Sequence, residues 1–404
     1  MPLNLNPVGV RLAFAGASAG TGRVTTAGAE EPDSKPLPPH ETAESANRDQ
    51  FVMKSINPEE SIGTADHQNK AIGSKEYVIP IGLFLDKKYA QRTVSNTMGT
   101  MGAVPSALGF NPYEWLERKL IYEGHNSSWG ASLEQVKREP EKYLAASLGK
   151  RERILSPQEK QAMVDEAKRI LNQVEEVRFH SKSGIDHYGW YCPAKPGKPT
   201  IVLSRGNNGR EPLGGLLYRR KLIQAGYGFF SYEYPGYGLT QGVPSESACY
   251  HALEAASDFL AEKKQIPASD QVAYGVSLGT AVTVDVASKR PFKAVILQSP
   301  FTAMPDVVSQ IMPVPNWLFP LHEHVPSKFD SLSKIDKITS PLLFLHGLED
   351  TLISPQCTDE LFAKATTPQK EKHFFANTGH MMNPDETGET IDSFLKKLMA
   401  ETEK

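Results

Sequence analysis

Short apolar segments alternate with helix-forming segments from residue 177 to the C-terminal end of the chain. The first two apolar segments flank a Ser-Gly turn and form a predicted hairpin. The later alternation is typical of an α/β domain, in which a mostly parallel central sheet carries helices on both faces. Strands are predicted at 177–183, 187–193, 200–204, 227–234, 271–274, 293–298, 341–345 and 371–376, and helices at 246–263, 279–289, 355–365 and 385–399.

Reactive side chains in such a sheet lie in loops at the carboxyl ends of the strands. One of these loops reads Gly275-Val276-Ser277-Leu278-Gly279 and lies between a predicted strand and a predicted helix. A G-x-S-x-G turn holds its serine in a strained conformation at the tip of a strand, and glycines avoid the collisions that larger side chains would make there. Such spacing arises by chance in roughly one chain in ten of this length. The strand–turn–helix setting therefore makes Ser277 the candidate nucleophile.

A serine hydroxyl is a weak nucleophile at neutral pH and needs a base to remove its proton. A histidine base needs a carboxylate that fixes its tautomer and stabilises the imidazolium. With this type of turn, the chain order is serine, acid, histidine. Asp350 follows the strand at 341–345, and His380 follows the strand at 371–376. We therefore predict Ser277, Asp350 and His380 as catalytic residues, with Glu349 as the nearest competitor of Asp350, and a helix cap or solvated loop acid as the alternative role for Asp350.

The remaining histidines are weaker candidates. His346 lies in the turn after a strand and is expected to be a structural hydrogen-bonding residue, whereas His373 lies inside a strand and is expected to be packed. His322 and His324 flank Glu323 in a loop, which makes a poor zinc site without further ligands. The chain contains neither H-E-x-x-H nor a paired C-x-x-C motif, so we predict no metal and no cofactor.

Acyl transfer also needs preorganised donors for the oxyanion that develops on the substrate. The backbone N–H of Leu278, directly after the predicted nucleophile, is the first candidate. The second is expected in the loop Arg205-Gly206-Asn207-Asn208-Gly209, which follows the strand at 200–204. Its glycines let the backbone approach a substrate, and we select the backbone N–H of Asn207. An ordinary Asn-Gly turn is the alternative.

Residues 177–400 resemble the α/β-hydrolase superfamily, in particular the serine-hydrolase branch that holds the α/β-hydrolase-domain depalmitoylases and the serine-aminopeptidase-like esterases. The resemblance implies an α/β-hydrolase fold with the three catalytic residues named above. It is carried by the serine turn at 275–279 and by Gly189-Trp190-Tyr191, Tyr234-Pro235-Gly236-Tyr237-Gly238, Gln298-Ser299-Pro300-Phe301-Thr302, Phe329-Asp330-Ser331-Leu332 and His346-Gly347-Leu348-Glu349-Asp350.

Two departures from the family pattern bear on function. Relatives usually carry a histidine at the position of Arg205, which affects the assignment of the oxyanion loop. Depalmitoylases of this group use an N-terminal cysteine cluster for membrane attachment, whereas no cysteine precedes Cys192 in this chain. We therefore do not expect anchoring by acylation.

The superfamily often inserts a lid between the strands predicted here at 293–298 and 341–345, and we place it at about 301–340. Apolar residues of this segment either line an acyl-binding pocket or pack a lid helix on the core. They are Met304, Val307, Val308, Ile311, Met312, Trp317, Leu318 and Phe319.

The residues before the hydrolase domain (176–404) are predicted to form two parts. Residues 1–75 are polar and Pro-rich, show no apolar periodicity and are predicted to be a disordered tail. Residues 76–175 are predicted to be a helical extension, because a capping box with proline at the first helical position opens a helix over 157–175. Further helices are predicted from Asn111-Pro112 and over 133–148, the latter interrupted by Pro140. The extension either packs on the hydrolase domain, partly covers its active site or makes a peripheral contact with a lipid surface.

Charge and composition limit the partners. Lys and Arg number 44 and Asp and Glu 47, a net charge of −3, so a nucleic-acid partner is not expected. No apolar run approaches the roughly 18 to 20 residues of a transmembrane segment. Three scattered cysteines fit a reducing compartment, and we expect a cytoplasmic location. Organelle targeting by the N-terminal tail is the alternative, since residues 1–29 contain two arginines and no acidic residue.

These residues predict a serine hydrolase that cleaves a carboxylic ester or thioester of a small-molecule or acylated substrate through an acyl-enzyme intermediate. One alternative is a peptidase of the serine-aminopeptidase-like type, which could use the same three residues. Another is a non-enzymatic binding protein on a hydrolase scaffold, because one fold hosts unrelated functions.

Overall fold

The computed structural model describes residues 121–124, 130–148, 155–208, 212–311 and 325–402. Several sequence predictions lie outside these residues. They are the disordered tail at 1–75, the helix from Asn111, the loop histidines His322 and His324, and the lid residues Met312, Trp317, Leu318 and Phe319.

The described residues contain eight strands in a single sheet. The strands are β1 (Glu175–His180), β2 (Asp186–Cys192), β3 (Thr200–Ser204), β4 (Gly228–Tyr232), β5 (Gln271–Val276), β6 (Ala294–Gln298), β7 (Leu342–Gly347) and β8 (Lys370–Phe375). They follow one another across the sheet in the order β1-β2-β4-β3-β5-β6-β7-β8. β2 pairs antiparallel with β1 and with β4, and all other neighbours are parallel. This topology confirms the predicted α/β-hydrolase fold.

The central strands are apolar on both faces because helices cover both faces. In β3, Ile201 and Leu203 contribute to the core on one face, and Val202 contributes to the core on the other. This alternation leaves the loops at the carboxyl ends of the strands to carry polar and reactive side chains.

The described residues form ten α-helices, which divide between the two faces. They are α1 (Leu133–Arg138), α2 (Pro140–Leu148), α3 (Pro157–Leu171), α4 (Pro212–Tyr218), α5 (Arg220–Gln224), α6 (Glu246–Lys263), α7 (Leu278–Ala287), α8 (Met304–Ile311), α9 (Gln356–Lys364) and α10 (Pro384–Thr402). Helices α1 to α5 and α10 contribute to the core on one face, and α6 to α9 contribute to the core on the other.

Helices α1, α2 and α3 precede the sheet in sequence and pack on it. Ser132 and Ser156 begin α1 and α3 with the reciprocal hydrogen bonds of a capping box, and Pro140 begins a new helix after the short break at Glu139. Buried side chains of these helices share one core with Trp190 of β2. Of the three possibilities for the extension, the structure therefore shows packing on the hydrolase domain for helices α1, α2 and α3.

Two local expectations were wrong, and two helices were missed. The helix predicted over 157–175 ends at Leu171, because Asn172 caps it and β1 already begins at Glu175. Helices α4 and α5 were not predicted. His373 is exposed rather than buried on β8, the last strand in the order of the sheet, although its ring contacts that of Phe375.

The segment predicted as a lid contributes to the core where the structure describes it. Met304, Val307 and Val308 of α8 are buried in the core that includes α6 and α7. These three side chains therefore pack the helix on the domain. Across the described ranges, none of the helices combines the length and the apolar character that crossing a bilayer requires.

Two ion pairs join α5 to α10 and differ in burial. Arg220 Nη2 lies 2.6 and 2.5 Å from the two carboxylate oxygens of Asp385, and neither side chain is more than 10% exposed. Lys221 Nζ lies 3.3 Å from Glu389 Oε1, with side chains 35% and 69% exposed. Breaking the buried pair leaves a charge without its partner in a poorly solvated site, whereas water replaces the partner in the exposed pair.

We expect Asp385→Asn to lower the free energy of unfolding by about 3 kcal/mol or more. Glu389→Gln is the matched control and should cost less than about 1 kcal/mol. Urea unfolding followed by circular dichroism at pH 7 measures both. Equal losses of unfolding free energy in the two variants would contradict the larger contribution that we assign to the buried ion pair.

Candidate active site

The turn between β5 and α7 holds Ser277 in the left-handed region of backbone space, with φ 53° and ψ −118°. The N–H of Ser277 donates to the carbonyl oxygen of Gln298 over 2.9 Å, which ties the turn to β6. A Cβ atom at Gly279 would lie 1.9 Å from the carbonyl oxygen of Ser204, and one at Gly275 would lie 2.5 Å from the carbonyl oxygen of Gly279. Both positions therefore require glycine, and the serine is held at the carboxyl end of the strand.

The structure brings the three predicted catalytic residues together from three separate loops. Ser277 Oγ lies 3.2 Å from His380 Nε2, and His380 Nδ1 lies 2.7 Å from Asp350 Oδ2. The side chain of Asp350 is fully buried, whereas that of His380 is 9% exposed. Glu349 is exposed, as expected for the competitor that does not enter the site.

The carboxylate determines where the hydrogens of this chain lie. Ionised Asp350 can only accept, so Nδ1 of His380 carries a hydrogen and donates it. In the neutral imidazole, Nε2 then has a free lone pair and accepts the hydroxyl hydrogen of Ser277. In this arrangement an imidazole can remove the proton of a serine.

Asp350 is surrounded by hydrogen-bond donors. Its Oδ1 accepts the backbone N–H groups of Leu352 and Ile353, both at 2.9 Å, and its Oδ2 accepts from two imidazoles. Burial alone would raise the pKa of this carboxyl. The charge of His380 and hydrogen bonds from His346, His380 and the Ile353 N–H outweigh burial, and the pKa of Asp350 lies well below its ordinary value.

His346 is the second imidazole on this carboxylate and is completely buried. Its Nε2 faces two acceptors, Asp350 Oδ2 at 3.2 Å and the carbonyl oxygen of Ile353 at 3.1 Å, so Nε2 carries the hydrogen. Its Nδ1 then accepts the hydroxyl of Thr358 over 2.7 Å. The sequence indicated a hydrogen-bonding residue in a turn here. The structure confirms the hydrogen bonding but places His346 within β7, and no local pattern could show that the bond goes to Asp350.

The loop after β3 passes beside Ser277. A Cβ atom at Gly206 would lie 3.5 Å from Ser277 Cβ, in ordinary van der Waals contact, and Asn207 is the next residue. Leu278 is the first residue of α7, where backbone N–H groups have no acceptor within the helix. The roles of the Leu278 and Asn207 N–H groups as oxyanion donors stay predictions.

Glu233, which sequence reasoning missed, lies close to the same loop. Its carboxylate accepts the N–H groups of Leu239 at 2.7 Å and Thr240 at 3.3 Å, and its Oε1 lies 4.0 Å from Arg205 Nη2. Burial raises the pKa of Glu233, and the Arg205 guanidinium and these two N–H groups oppose that rise. The available signal in the sequence was one charged residue within the aromatic-rich strand predicted at 227–234.

The arrangement offers a hydroxyl that can act as a nucleophile, an imidazole that can act as a base and a carboxylate that orients the imidazole, all in one hydrogen-bonded chain. A hydroxyl activated in this way can attack a carbonyl carbon and form a covalent intermediate. In the part of the chain that the structure describes, no group of three or more His, Cys, Asp and Glu side chains is arranged to hold a metal ion.

Comparisons with known proteins cover part of the chain. Residues 246–401, which include Ser277, Asp350 and His380, match the model of the prolyl oligopeptidase family. An uncharacterized protein of Mycobacterium tuberculosis is 29% identical over 209 residues, which are 51% of this chain and 73% of that protein. The alpha/beta hydrolase domain-containing protein 17C of Xenopus tropicalis is 33% identical over 195 residues, 46% of this chain and 58% of that protein. A Pyrococcus furiosus esterase structure aligns with a TM-score of 0.49 and 18% identity over 56% of this chain and 91% of its own.

The lowered pKa of Asp350 makes stability depend on pH. The ionised carboxylate stabilises the folded chain above the usual aspartate pKa of about 4, and this contribution is lost as the pH falls and the folded carboxylate takes up a proton. We expect Asp350→Asn to reduce the free energy of unfolding most near pH 7, and the gap to the wild type to narrow below about pH 5.

Urea unfolding at a series of pH values between neutral and acid measures this gap. Asp258→Asn, at an exposed surface pair with Arg290, is the matched control and should differ little from the wild type at any pH. A gap for Asp350→Asn that stays constant or widens toward acid pH would be inconsistent with the contacts described for this carboxylate.

Proposed function

Because this chain belongs to the α/β-hydrolase superfamily, we propose that it is a serine hydrolase that cleaves a carboxylic ester or thioester through an acyl-enzyme intermediate. Ser277 is the nucleophile, His380 is the general base and acid, and Asp350 orients His380. The observation that carries the proposal is the hydrogen-bonded chain from Ser277 Oγ through both ring nitrogens of His380 to Asp350 Oδ2.

In the first half of the reaction, Ser277 Oγ attacks the carbonyl carbon of the substrate while His380 Nε2 takes up the hydroxyl proton. A carbon–oxygen bond forms, and the carbonyl electrons move to an oxyanion that the N–H groups of Leu278 and Asn207 stabilise. When this intermediate collapses, the bond to the alcohol or thiol breaks and His380 returns the proton to that leaving group. The acyl group remains on Ser277.

In the second half, a water molecule takes the place of the leaving group. His380 removes a proton from the water, whose oxygen attacks the acyl carbon, and Ser277 Oγ leaves with the proton that His380 returns. The product is a carboxylic acid, and the reaction requires no cofactor. Asp350 stabilises the imidazolium in both halves without taking up its proton, and the lowered pKa of this buried carboxyl suits that role.

We expect Ser277→Ala to lower kcat for a short p-nitrophenyl ester by about 10⁴-fold or more, because the triad acts as a unit. The same variant should lose labelling by a fluorophosphonate probe, which reacts with activated serines. Ser333→Ala replaces an exposed serine outside the site and should retain both properties. Labelling that persists in Ser277→Ala, or turnover equal to that of the wild type, would contradict the proposal.

A peptidase is the second candidate, because residues 246–401 match the prolyl oligopeptidase family. The same chain of three residues could cleave an amide, with His380 giving its proton to the leaving amine. The two functions are separated by esters, thioesters and p-nitroanilides that carry the same acyl group. We expect measurable turnover of esters and thioesters and none of the anilides. Anilide turnover that is comparable with ester turnover and abolished in Ser277→Ala would favour the peptidase.

A further inference from the structure

A short segment of the N-terminal extension reaches the catalytic edge of the sheet. We call residues 121–124 the strap. Ile121 and Tyr122 are 3% and 1% exposed and belong to the core that includes α6 and α7. Ala131 and Leu133, a few positions later, belong to the core on the opposite face of the sheet. The extension therefore contacts both faces.

The strap is hydrogen-bonded to the loop that passes beside Ser277. The backbone N–H of Gly124 donates to the carbonyl oxygen of Asn207 over 2.8 Å. The hydroxyl of Tyr237 donates to the same oxygen over 3.1 Å. Two donors, one of them from the strap, thus fix the direction of this carbonyl, because a carbonyl oxygen has two lone pairs.

The other side of the loop is fixed as well. The hydroxyl of Tyr234 donates to the carbonyl oxygen of Arg205 over 3.0 Å. The peptide unit that carries the Asn207 N–H lies between the Arg205 and Asn207 carbonyls in sequence, so it is held from both sides. Burial raises the pKa of Tyr234 and of Tyr237 well above the ordinary value, and both hydroxyls therefore keep the hydrogen that they donate.

The strap also contacts the region predicted as a lid. Tyr122 forms a hydroxyl–hydroxyl hydrogen bond of 2.8 Å with Ser327. Its ring packs edge-on against Phe329 at a centroid distance of 6.3 Å. One further residue of the extension lies against the turn after β4, since a Cβ atom at Gly130 would lie 2.5 Å from the carbonyl group of Gly238. The strap thereby connects the loop beside the nucleophile to residues 327–329.

From these contacts we propose that the strap is a positioning element of the active site, which holds the Asn207 N–H in the direction that oxyanion stabilisation requires. This inference rests on the proposed function and assigns to the extension a part in catalysis. The strap does not touch the reacting atoms. It acts through the carbonyl of Asn207, so its loss should lower kcat and leave substrate binding, measured as KM, nearly unchanged.

The test removes the N–H donor of the strap by a single substitution. Gly124→Pro deletes the N–H that Asn207 accepts, whereas Gly124→Ala retains it and is the matched control. Misplacing a catalytic group by about 1 Å costs on the order of 100-fold in rate, and we expect kcat of Gly124→Pro to fall roughly 10- to 100-fold below that of Gly124→Ala. The rate of fluorophosphonate labelling at Ser277 should fall in parallel. Phosphonylation of the serine develops negative charge on an oxygen atom that faces the same N–H groups as the substrate oxyanion.

Two further measurements distinguish positioning from a general loss of structure. The melting temperature reports stability, and a fall in kcat that exceeds what the folded fraction explains, at unchanged KM, supports positioning. Tyr237→Phe removes the second donor to the same carbonyl and should also lower kcat. Combined with Gly124→Pro it should give a non-additive effect, since both donors act on one oxygen.

The proposal is overturned if Gly124→Pro and Gly124→Ala have the same kcat, or if Gly124→Pro changes only KM or melting temperature. Should Gly124→Pro not fold, Tyr122→Phe decides, because it keeps the ring and deletes the bond to Ser327. A kcat at least about threefold lower than that of the wild type then supports the strap, and an unchanged kcat overturns it. All these chains retain Ser277, so a failure of the proposed function appears separately, in Ser277→Ala.

Discussion

The site depends on the close approach of helix α7 to the sheet. The helix begins directly after Ser277, and its Gly279 lies so near the carbonyl of Ser204 that even one methyl group would not fit. The same approach brings the loop after β3, with Gly206, within van der Waals distance of the serine. The close packing of α7 on the sheet therefore places Ser277 and the loop after β3 side by side. The positive φ of Ser277 is the local cost of this arrangement.

Three buried carboxylates of the domain are stabilised in different ways. Asp385 forms an ion pair in which both carboxylate oxygens accept from Nη2 of Arg220. Asp350 instead accepts from backbone N–H groups and two imidazoles. Glu233 accepts two backbone N–H groups with an arginine farther away. Of these three carboxylates, Asp350 is the one that accepts from an imidazole that also reaches a serine hydroxyl. The kind of partner therefore distinguishes the candidate site from a structural ion pair, since all three carboxylates are buried.

Much of the fold was predictable because strands buried on both faces are continuous apolar runs with marked ends. The strand at 200–204 and the helix at 246–263 have the predicted bounds, and the candidate catalytic residues could be selected because each lies in a turn or loop that follows a strand. Helix α4 was missed because Gly214 and Gly215 interrupt its helix pattern, and it is stabilised by tertiary packing. The bond from His346 to Asp350 and the contact of the strap with Asn207 depend on three-dimensional geometry, which no local pattern reports. Glu233 left only the signal of one charge in an aromatic strand.

The hydrogen bond between Tyr122 and Ser327 joins residues that are 205 positions apart. During synthesis the strap leaves the ribosome early, but this partner does not exist until most of the sheet has been made. Closing so long a loop is entropically unfavourable, and the packed sheet supplies the surfaces that make the closure favourable. A nascent chain that already contains Ser277 therefore cannot yet form this hydrogen bond, which becomes possible only after Ser327 has been made.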